Sequence, residues 1–366
     1  MSEPLRVLQV IGSMNCGGAE AMLMNLYRNI DRSKVQFDFL VCNKDRAFYD
    51  DEIESLGGRI YRELEYINPS NLISYKAICE SFFSKHNYKI VHCHIGSIAW
   101  FVLSVAKKYG AFTITHSHST YAGLGNLPYR LLSYPVRYTA DYFFGCSFQA
   151  GKDRYGARTV RKADRFFVFK NAVNMSDFSF KPSVREQYRK ELDLADNFTV
   201  GIIARVSKEK NHSFLFEAFS RIVKQDKSAV LLVVGDGVLR DEAQLRVEQM
   251  GISDNVRFLG VRSDVKDLLN CLDLFVMPSL YEGLPVSVIE AQVNGLPCLL
   301  STNVPEESAV TDLVSFLPID SADKWAQAIL SYKGTPRADR SEEIRRAGYD
   351  ITDSAAKLCD FYLSHI

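Results

Sequence analysis

Short runs of aliphatic, β-branched and aromatic residues recur along the chain, separated by stretches whose apolar positions fall at helical spacing. In the first half the runs are RVLQVIG (6–12), QFDFLVC (36–42), KIVHCH (89–94), FTITHSH (112–118) and DYFFGCS (141–147). They are nearly continuously apolar rather than alternating, the pattern of parallel strands buried on both faces. AEAMLMNLYRNI (19–30) and SIAWFVLSVAKKYG (97–110) read as helices between them, the second closed by Gly110. The second half repeats the scheme with TVGIIA (199–204), AVLLVVG (229–235), VRFLG (256–260), LFVMPS (274–279) and PCLLS (297–301). Strand–helix alternation of this kind predicts an α/β chain with two doubly wound sheets.

The boundary is expected near NAVNMSDFSFKPS (171–183), a polar stretch bearing Pro182 ahead of a helical REQYRKEL. Two Rossmann-like domains are therefore expected, 1–175 and 176–337, facing across a cleft. In open α/β sheets ligands sit off the carboxyl ends of the strands, so chemistry is to be sought just after each strand.

Bulk properties narrow the class. The 366 residues suffice for two domains, and 47% hydrophobic with 24% charged residues describes a globular chain. The zero net charge is unevenly spread: residues 1–175 hold 22 Lys and Arg against 15 Asp and Glu, the remainder 22 against 29. A basic first half suits an anionic partner, a phosphorylated substrate or a phospholipid surface, and equally a scattered, solvated excess. Eight dispersed cysteines without a CxxC pair fit a reducing compartment. The N-terminal apolar run is too short for a leader, and no run approaches the ~20 apolar residues of a membrane span. A cytoplasmic protein is expected, at most peripheral to the inner face of the membrane, with no nucleic-acid partner.

The loops after the strands carry the candidate chemistry. GSMNCGGAEAM (12–22) is a glycine-rich turn into a helix N-terminus, where outward amides suit an anion. It is neither a P-loop, since Gly18 stands where the lysine would be, nor GxGxxG. In ARVSKEKN (204–211), Arg205 and Lys210 leave one strand end together, a bidentate donor and a point charge suited to a diphosphate. GDG (235–237) is a tight turn. In YEGLPVSVIEA (281–291), Pro285 fits the first helical position, and the amides of Gly283 and Leu284 are free to meet an anion. Glu290 would accept from vicinal hydroxyls such as those of a ribose. The bland alternative makes Glu282 a first-turn acid facing the helix dipole and Glu290 a solvated helix residue. Two HxH pairs, His92/His94 and His116/His118, could bind metal, but no DxD accompanies them. No metal site is assigned.

These residues resemble a known family, the retaining glycosyltransferases of family GT4 with the GT-B fold. The resemblance is carried by GGAE (17–20), His118 in ITHSH, Asn171 in FKNAVN, Arg205 and Lys210 in ARVSKEK, GDG (235–237), FLG (258–260) and EGLPVSVIE (282–290), in the family's order over almost the full chain. It implies a nucleoside diphosphate sugar as donor substrate, UDP-linked in preference to GDP-linked, and no cofactor. Arg205 and Lys210 would hold the diphosphate as it leaves. Glu290 would bind the ribose, and Glu282 the hydroxyls of the transferred sugar. The amides of Gly283 and Leu284 beside Pro285 would hold the distal phosphate. The base would be read near Val261 and Arg262, with Gly235 and Gly237 on the donor side. Gly17 and Gly18 would close on the diphosphate, and His118 would serve the acceptor near the reacting carbon. The tail, 338–366, would pack back on the first domain. Two departures stand out: Ala204 replaces a common glycine before the arginine, and Asn211 one after the lysine, where asparagine can take the same left-handed turn.

The acceptor implied is a hydroxyl of a glycan or lipid-linked molecule in capsule or exopolysaccharide assembly. GNLPYRLLSYPVRYTADYF (125–143), mixing Leu, Tyr and Arg, could touch an anionic membrane or simply face the core with its arginines wet. The alternatives are an HxH metallohydrolase, a nucleotide-sugar epimerase or phosphorylase on a similar scaffold, and a non-catalytic nucleotide-sugar-binding subunit.

Overall fold

The computed structural model describes residues 3–15, 17–67, 70–96, 98–118, 131–162 and 164–366. The first part of the acceptor-side stretch, 125–130, lies outside them, as does Cys16 of the glycine-rich loop. The chain forms two compact units, Met1–Ala172 with Asp350–Ile366, and Val173–Tyr349.

The first unit holds strands β1 (Leu5–Ile11), β2 (Val35–Val41), β3 (Ile60–Tyr61), β4 (Ile90–Cys93), β5 (Phe112–Ser117), β6 (Tyr142–Gly145) and β7 (Phe166–Val168). They make a parallel sheet in the order β3-β2-β1-β4-β5-β6-β7. The second unit holds β8 (Thr199–Ile203), β9 (Val230–Val234), β10 (Val256–Gly260), β11 (Leu274–Met277), β12 (Cys298–Ser301) and β13 (Val314–Leu317) in the order β10-β9-β8-β11-β12-β13, again parallel. Parallel strands need crossovers, so helices cover both faces and each sheet separates two apolar layers.

In each sheet the winding reverses once, between β1 and β4 and between β8 and β11. Loops leaving neighbouring strands at that point diverge to opposite faces and open a crevice at the strands' carboxyl ends. The Arg205–Lys210 loop follows β8, and Glu282 follows β11, so the two motifs leave the pair of strands flanking the reversal in the second sheet.

The C-terminal return differs from the sequence expectation. It starts at Asp350, not at residue 338: the helix Ser341–Arg346 stays with the second unit, where Ile344 and Tyr349 share an apolar cluster with Val173, Met175, Ile289 and Val293. Val173 N donates to the Tyr349 carbonyl at 2.9 Å, so the outgoing and returning chains are stitched together in one place. Asp350 then caps the helix Ile351–Leu363, accepting from Thr352 N at 2.9 Å. That helix buries Ile351, Ala355, Leu358, Cys359 and Tyr362 in the layer formed by Val7, Phe37, Ile114 and Phe144 of the first sheet. The seven described cysteines are free and buried.

Candidate functional site

In the second unit, the structure joins two of the predicted residues directly. Lys210 Nζ donates to Glu282 Oε1 at 2.6 Å, and Ser279 Oγ donates to the same oxygen at 2.6 Å. Both partners are largely shielded, with side-chain exposures of 18% and 9%. The short 3-10 turn Lys208–Lys210 and the left-handed Asn211 (φ 57°) aim the lysine, and Asn211 Nδ2 ties the turn to the Pro278 carbonyl at 3.2 Å. Asparagine therefore does adopt the conformation for which a glycine would be the ordinary choice. A second tie, Leu280 N to the Glu209 carbonyl at 2.8 Å, joins the same two loops. Arg205 is exposed and has no ion-pair partner among the described residues.

Gly235 and Gly237 serve this loop from behind. A Cβ on Gly235 would lie 2.1 Å from the Ala204 carbonyl oxygen, and one on Gly237 would lie 2.3 Å from that of Val206. The GDG turn is laid flat on the backbone that carries Arg205, with Val206 N donating to the Asp236 carbonyl at 3.0 Å. Lack of a side chain is needed for that approach, and Gly235 N also donates to the Gly260 carbonyl at 2.8 Å. Arg262 makes a bidentate pair with Asp264, which also accepts from Tyr188 at 2.9 Å. The Arg262 guanidinium, despite some burial, holds the Asp264 carboxyl down at about 2. Val261 beside it is exposed.

The helix Val286–Val293 buries Val288, Ile289, Ala291, Gln292 and Val293. Gln292 anchors it: its Oε1 accepts from Val310 N and Thr311 N, each at 3.0 Å. Pro285 stands one position earlier than expected, as the cap residue rather than the first helical residue. The amides of Gly283 and Leu284 donate to no protein group among the described residues. Glu290 sits on the remaining face of the helix, partly buried, and its carboxylate has no hydrogen-bond partner among the described residues. Burial raises its carboxyl from an ordinary 4.5 to about 7. A hollow of about 780 Å³ beside the helix Pro182–Glu191 is lined by Arg185, Arg189 and Asp273 and takes in none of these residues.

In the first unit, Gly17 precedes the helix Gly18–Asn29, and a Cβ there would lie 2.2 Å from Glu20 Oε2. Gly17 thus makes room for the first-turn carboxylate, whose pKa burial raises, while Gly18 faces open space. His118 bonds through Nε2 to His94 Nδ1 at 2.8 Å. Period-two spacing puts His92, His94, His116 and His118 on one face of the sheet, and Gln9, opposite His92 in the β1–β4 register, joins them. Burial, and then the buried Arg154 guanidinium, lower the His118 pKa to about 3, so the ring is neutral at physiological pH. Sequence reading singled out the HxH pairs but missed Gln9, Arg154 and Ser279, which carry no local motif.

Two doubly wound α/β units, with a cation loop and a carboxylate helix leaving the strands at the winding reversal of one of them, define a GT-B glycosyltransferase. Residues 184–350 match the glycosyl transferases group 1, and residues 16–175 match Glycosyltransferase Family 4. The chain belongs to this glycosyltransferase family. It is 32% identical over 99% of its length to EpsF of Bacillus subtilis (strain 168), described as a glycosyltransferase, and covers 97% of that protein. It is 31% identical, over 37% of this chain and 36% of the enzyme, to the UDP-Gal:alpha-D-GlcNAc-diphosphoundecaprenol alpha-1,3-galactosyltransferase of Escherichia coli. Among solved structures it resembles Alr3699/HepE of Anabaena in complex with UDP and glucose, with a TM-score of 0.78 and 18% identity over 98% of this chain and 100% of that one.

Proposed function

We propose that this chain is a retaining hexosyltransferase that moves a sugar from a nucleoside diphosphate, UDP in preference to GDP, to a hydroxyl of a glycan or lipid-linked acceptor in surface-polysaccharide assembly, without a metal ion. The observation that carries the reading is the Lys210–Glu282 pair, on the loop that also carries Arg205, which has no ion-pair partner among the described residues, and next to Gly283 and Leu284 in sequence, whose amides donate to no described group. It gathers cations and donors for a diphosphate around a carboxylate fit for sugar hydroxyls. The galactosyltransferase relative, which uses UDP-Gal, and the UDP-glucose complex of Alr3699/HepE support a uridine donor.

In this reading Arg205 and Lys210 take up the charge that develops on the leaving diphosphate, with Gly283 and Leu284 donating to the distal phosphate. The bond from the anomeric carbon to the phosphate oxygen breaks, and the acceptor oxygen bonds on the same face. The acceptor's proton passes to the departing phosphate oxygen. Glu282 holds the transferred sugar, Glu290 the ribose and His118 the acceptor side. The base lies by Val261 and Arg262.

Melting temperature with UDP, GDP, ADP or CMP, with and without EDTA, tests the donor. UDP at a hundredfold excess over its Kd is expected to raise Tm by about 5–10 °C, unchanged by EDTA. No shift with any nucleotide would sink the donor reading, and loss of the shift in EDTA would sink metal independence.

A peripheral membrane contact is part of the proposal. Leu131, Leu132, Tyr134 and Tyr138 are exposed in one short stretch, with the Arg137 guanidinium over the Tyr134 ring, in the basic half of the chain. No helix among the described residues is long and apolar enough to cross a membrane. The protein is expected to float with anionic liposomes at low salt and to be released at high salt, as electrostatic attraction is screened. Absence of flotation at low salt would remove this part.

A further inference from the structure

The buried face of the first sheet carries a hydrogen-bonded chain that begins on the C-terminal helix and ends on His118. Tyr362 OH lies 2.6 Å from His92 Nδ1 and 3.3 Å from Gln9 Nε2. Gln9 Oε1 lies 3.0 Å from His94 Nε2, and His94 Nδ1 lies 2.8 Å from His118 Nε2. Gln9, His92 and Tyr362 are shut off from solvent, and His94 almost so.

Each link dictates the next. The Gln9 carbonyl oxygen can only accept, so His94 carries its proton on Nε2. A neutral His94 then has a bare Nδ1, which takes the proton of His118 Nε2. His118 is left with a bare Nδ1, buried and with no partner among the described residues. At the other end the Gln9 amide donates to the Tyr362 oxygen, whose own proton goes to His92 Nδ1. Neutrality of the rings is essential to this logic. Burial lowers all four histidine pKa values, and the buried Arg154, donating to the His116 carbonyl at 3.0 Å, adds a fixed positive charge beside them.

The same rings bring nitrogens of His92, His94 and His116 within 4.8 Å of one another, as a metal cluster would. Yet both nitrogens of His94 are engaged, and its ring stacks on His92 with centroids 4.4 Å apart and planes 28° apart. Lone pairs lie in the ring planes, so stacked rings do not point them at a common centre. The geometry favours a hydrogen-bond relay.

We infer that Tyr362, Gln9 and His94 are positioning residues that fix His118 in its Nε2-protonated tautomer, leaving Nδ1 as the nitrogen that accepts a hydrogen bond from a substrate hydroxyl. The second half of this statement rests on the glycosyl-transfer reading, whereas the tautomer does not. The relay also gives the returning C-terminal helix a chemical role, since a residue 353 positions from Gln9 sets the ring that serves the acceptor.

The test is two-bond 1H–15N correlation of the histidine-labelled full-length protein, with steady-state kinetics on the same samples. Wild type is expected to show His94 and His118 each as the single Nε2-protonated tautomer. Gln9→Met removes the acceptor for His94 and should turn both rings into tautomer mixtures. It should also lower kcat about 10- to 100-fold, as misplaced catalytic geometry does, with KM for the nucleotide sugar unchanged. Should Gln9→Met fail to fold, Tyr362→Phe, which deletes one oxygen, is expected to give the same mixing through a freed Gln9 amide. A proton on His118 Nδ1 in wild type, or unchanged tautomers in both variants, would overturn the relay. Intact mixing with unchanged kcat would overturn its role in positioning. If wild type shows the expected spectrum but transfers no sugar, the transferase reading falls and the relay stands.

Discussion

Lys210→Met is expected to lower kcat about 10²–10³-fold and to weaken UDP binding about tenfold. The first figure is what loss of one preorganised group facing developing charge commonly costs. Glu282→Ala should divide the effects differently: UDP binding within about twofold of wild type, but kcat about 10²-fold lower, because in the proposed reaction this carboxylate touches the sugar and not the nucleotide. The observed ion pair sharpens the expectation. Lys210 and Glu282 are shielded and share one short hydrogen bond, so removing either leaves the other half-buried and unpaired. The two losses should therefore not add, and the double variant should fall short of the sum by about 0.5–3 kcal/mol. The measurement is a double-mutant cycle in kcat and in UDP affinity. If Glu282→Ala turns over at the wild-type rate, its assignment to the sugar is wrong. Strict additivity would mean that the pair does not act as a unit.

That ion pair spans 72 residues, and the sequence alone could not draw it. What the pattern does encode is that ARVSKEK and YEGLPVSVIE each follow a strand. The step from there to a shared site needs the strand order. Only because β8 and β11 are neighbours do the loops that follow them start side by side, within reach of the ties that join them. Periodicity reports burial of a strand and says nothing about which strand lies beside it.

The missed strands follow the same physics. β3, β7 and β13 are each an edge of their sheet, two to four residues long and only partly buried. Such strands are too short and too thinly covered to stand out as apolar runs, whereas β10, an edge of five residues, was long enough to be read. The His118 relay was half legible. HxH spacing within a strand puts both rings on one face, and that much is local. Gln9 lies inside the run RVLQVIG and Tyr362 in the C-terminal tail, and no local pattern links the two. Only the fold shows that the two complete each other's hydrogen bonds.

Glu290 supplies the second large expected effect, and here pH is the variable. Its carboxyl is raised by burial from 4.5 to about 7, with no cation or donor among the described residues offsetting it. A carboxyl whose folded pKa lies above its unfolded value contributes stability that is complete below about 4.5 and lost as pH rises through about 7. Glu290→Gln keeps the shape without the charge, so its stability relative to wild type should grow across that window, reaching about 1–2 kcal/mol by pH 8 once partial exposure is allowed for. UDP should reverse the order. If the ribose hydroxyls donate to the ionised group, binding pulls its pKa down and expels a proton. Affinity should then rise with pH through about 7, beyond what the terminal phosphate contributes with its own pKa near about 6. At pH 8, Glu290→Gln should bind UDP about 10- to 100-fold more weakly, the span of a few charge-assisted hydrogen bonds, and the deficit should shrink below about pH 6. Calorimetry in buffers of different ionisation enthalpy counts the proton directly. A variant that is more stable at pH 8 but binds UDP as well as wild type would keep the burial argument and remove the ribose from Glu290. A variant with neither change would mean that the carboxyl is solvated after all and plays no part in the site.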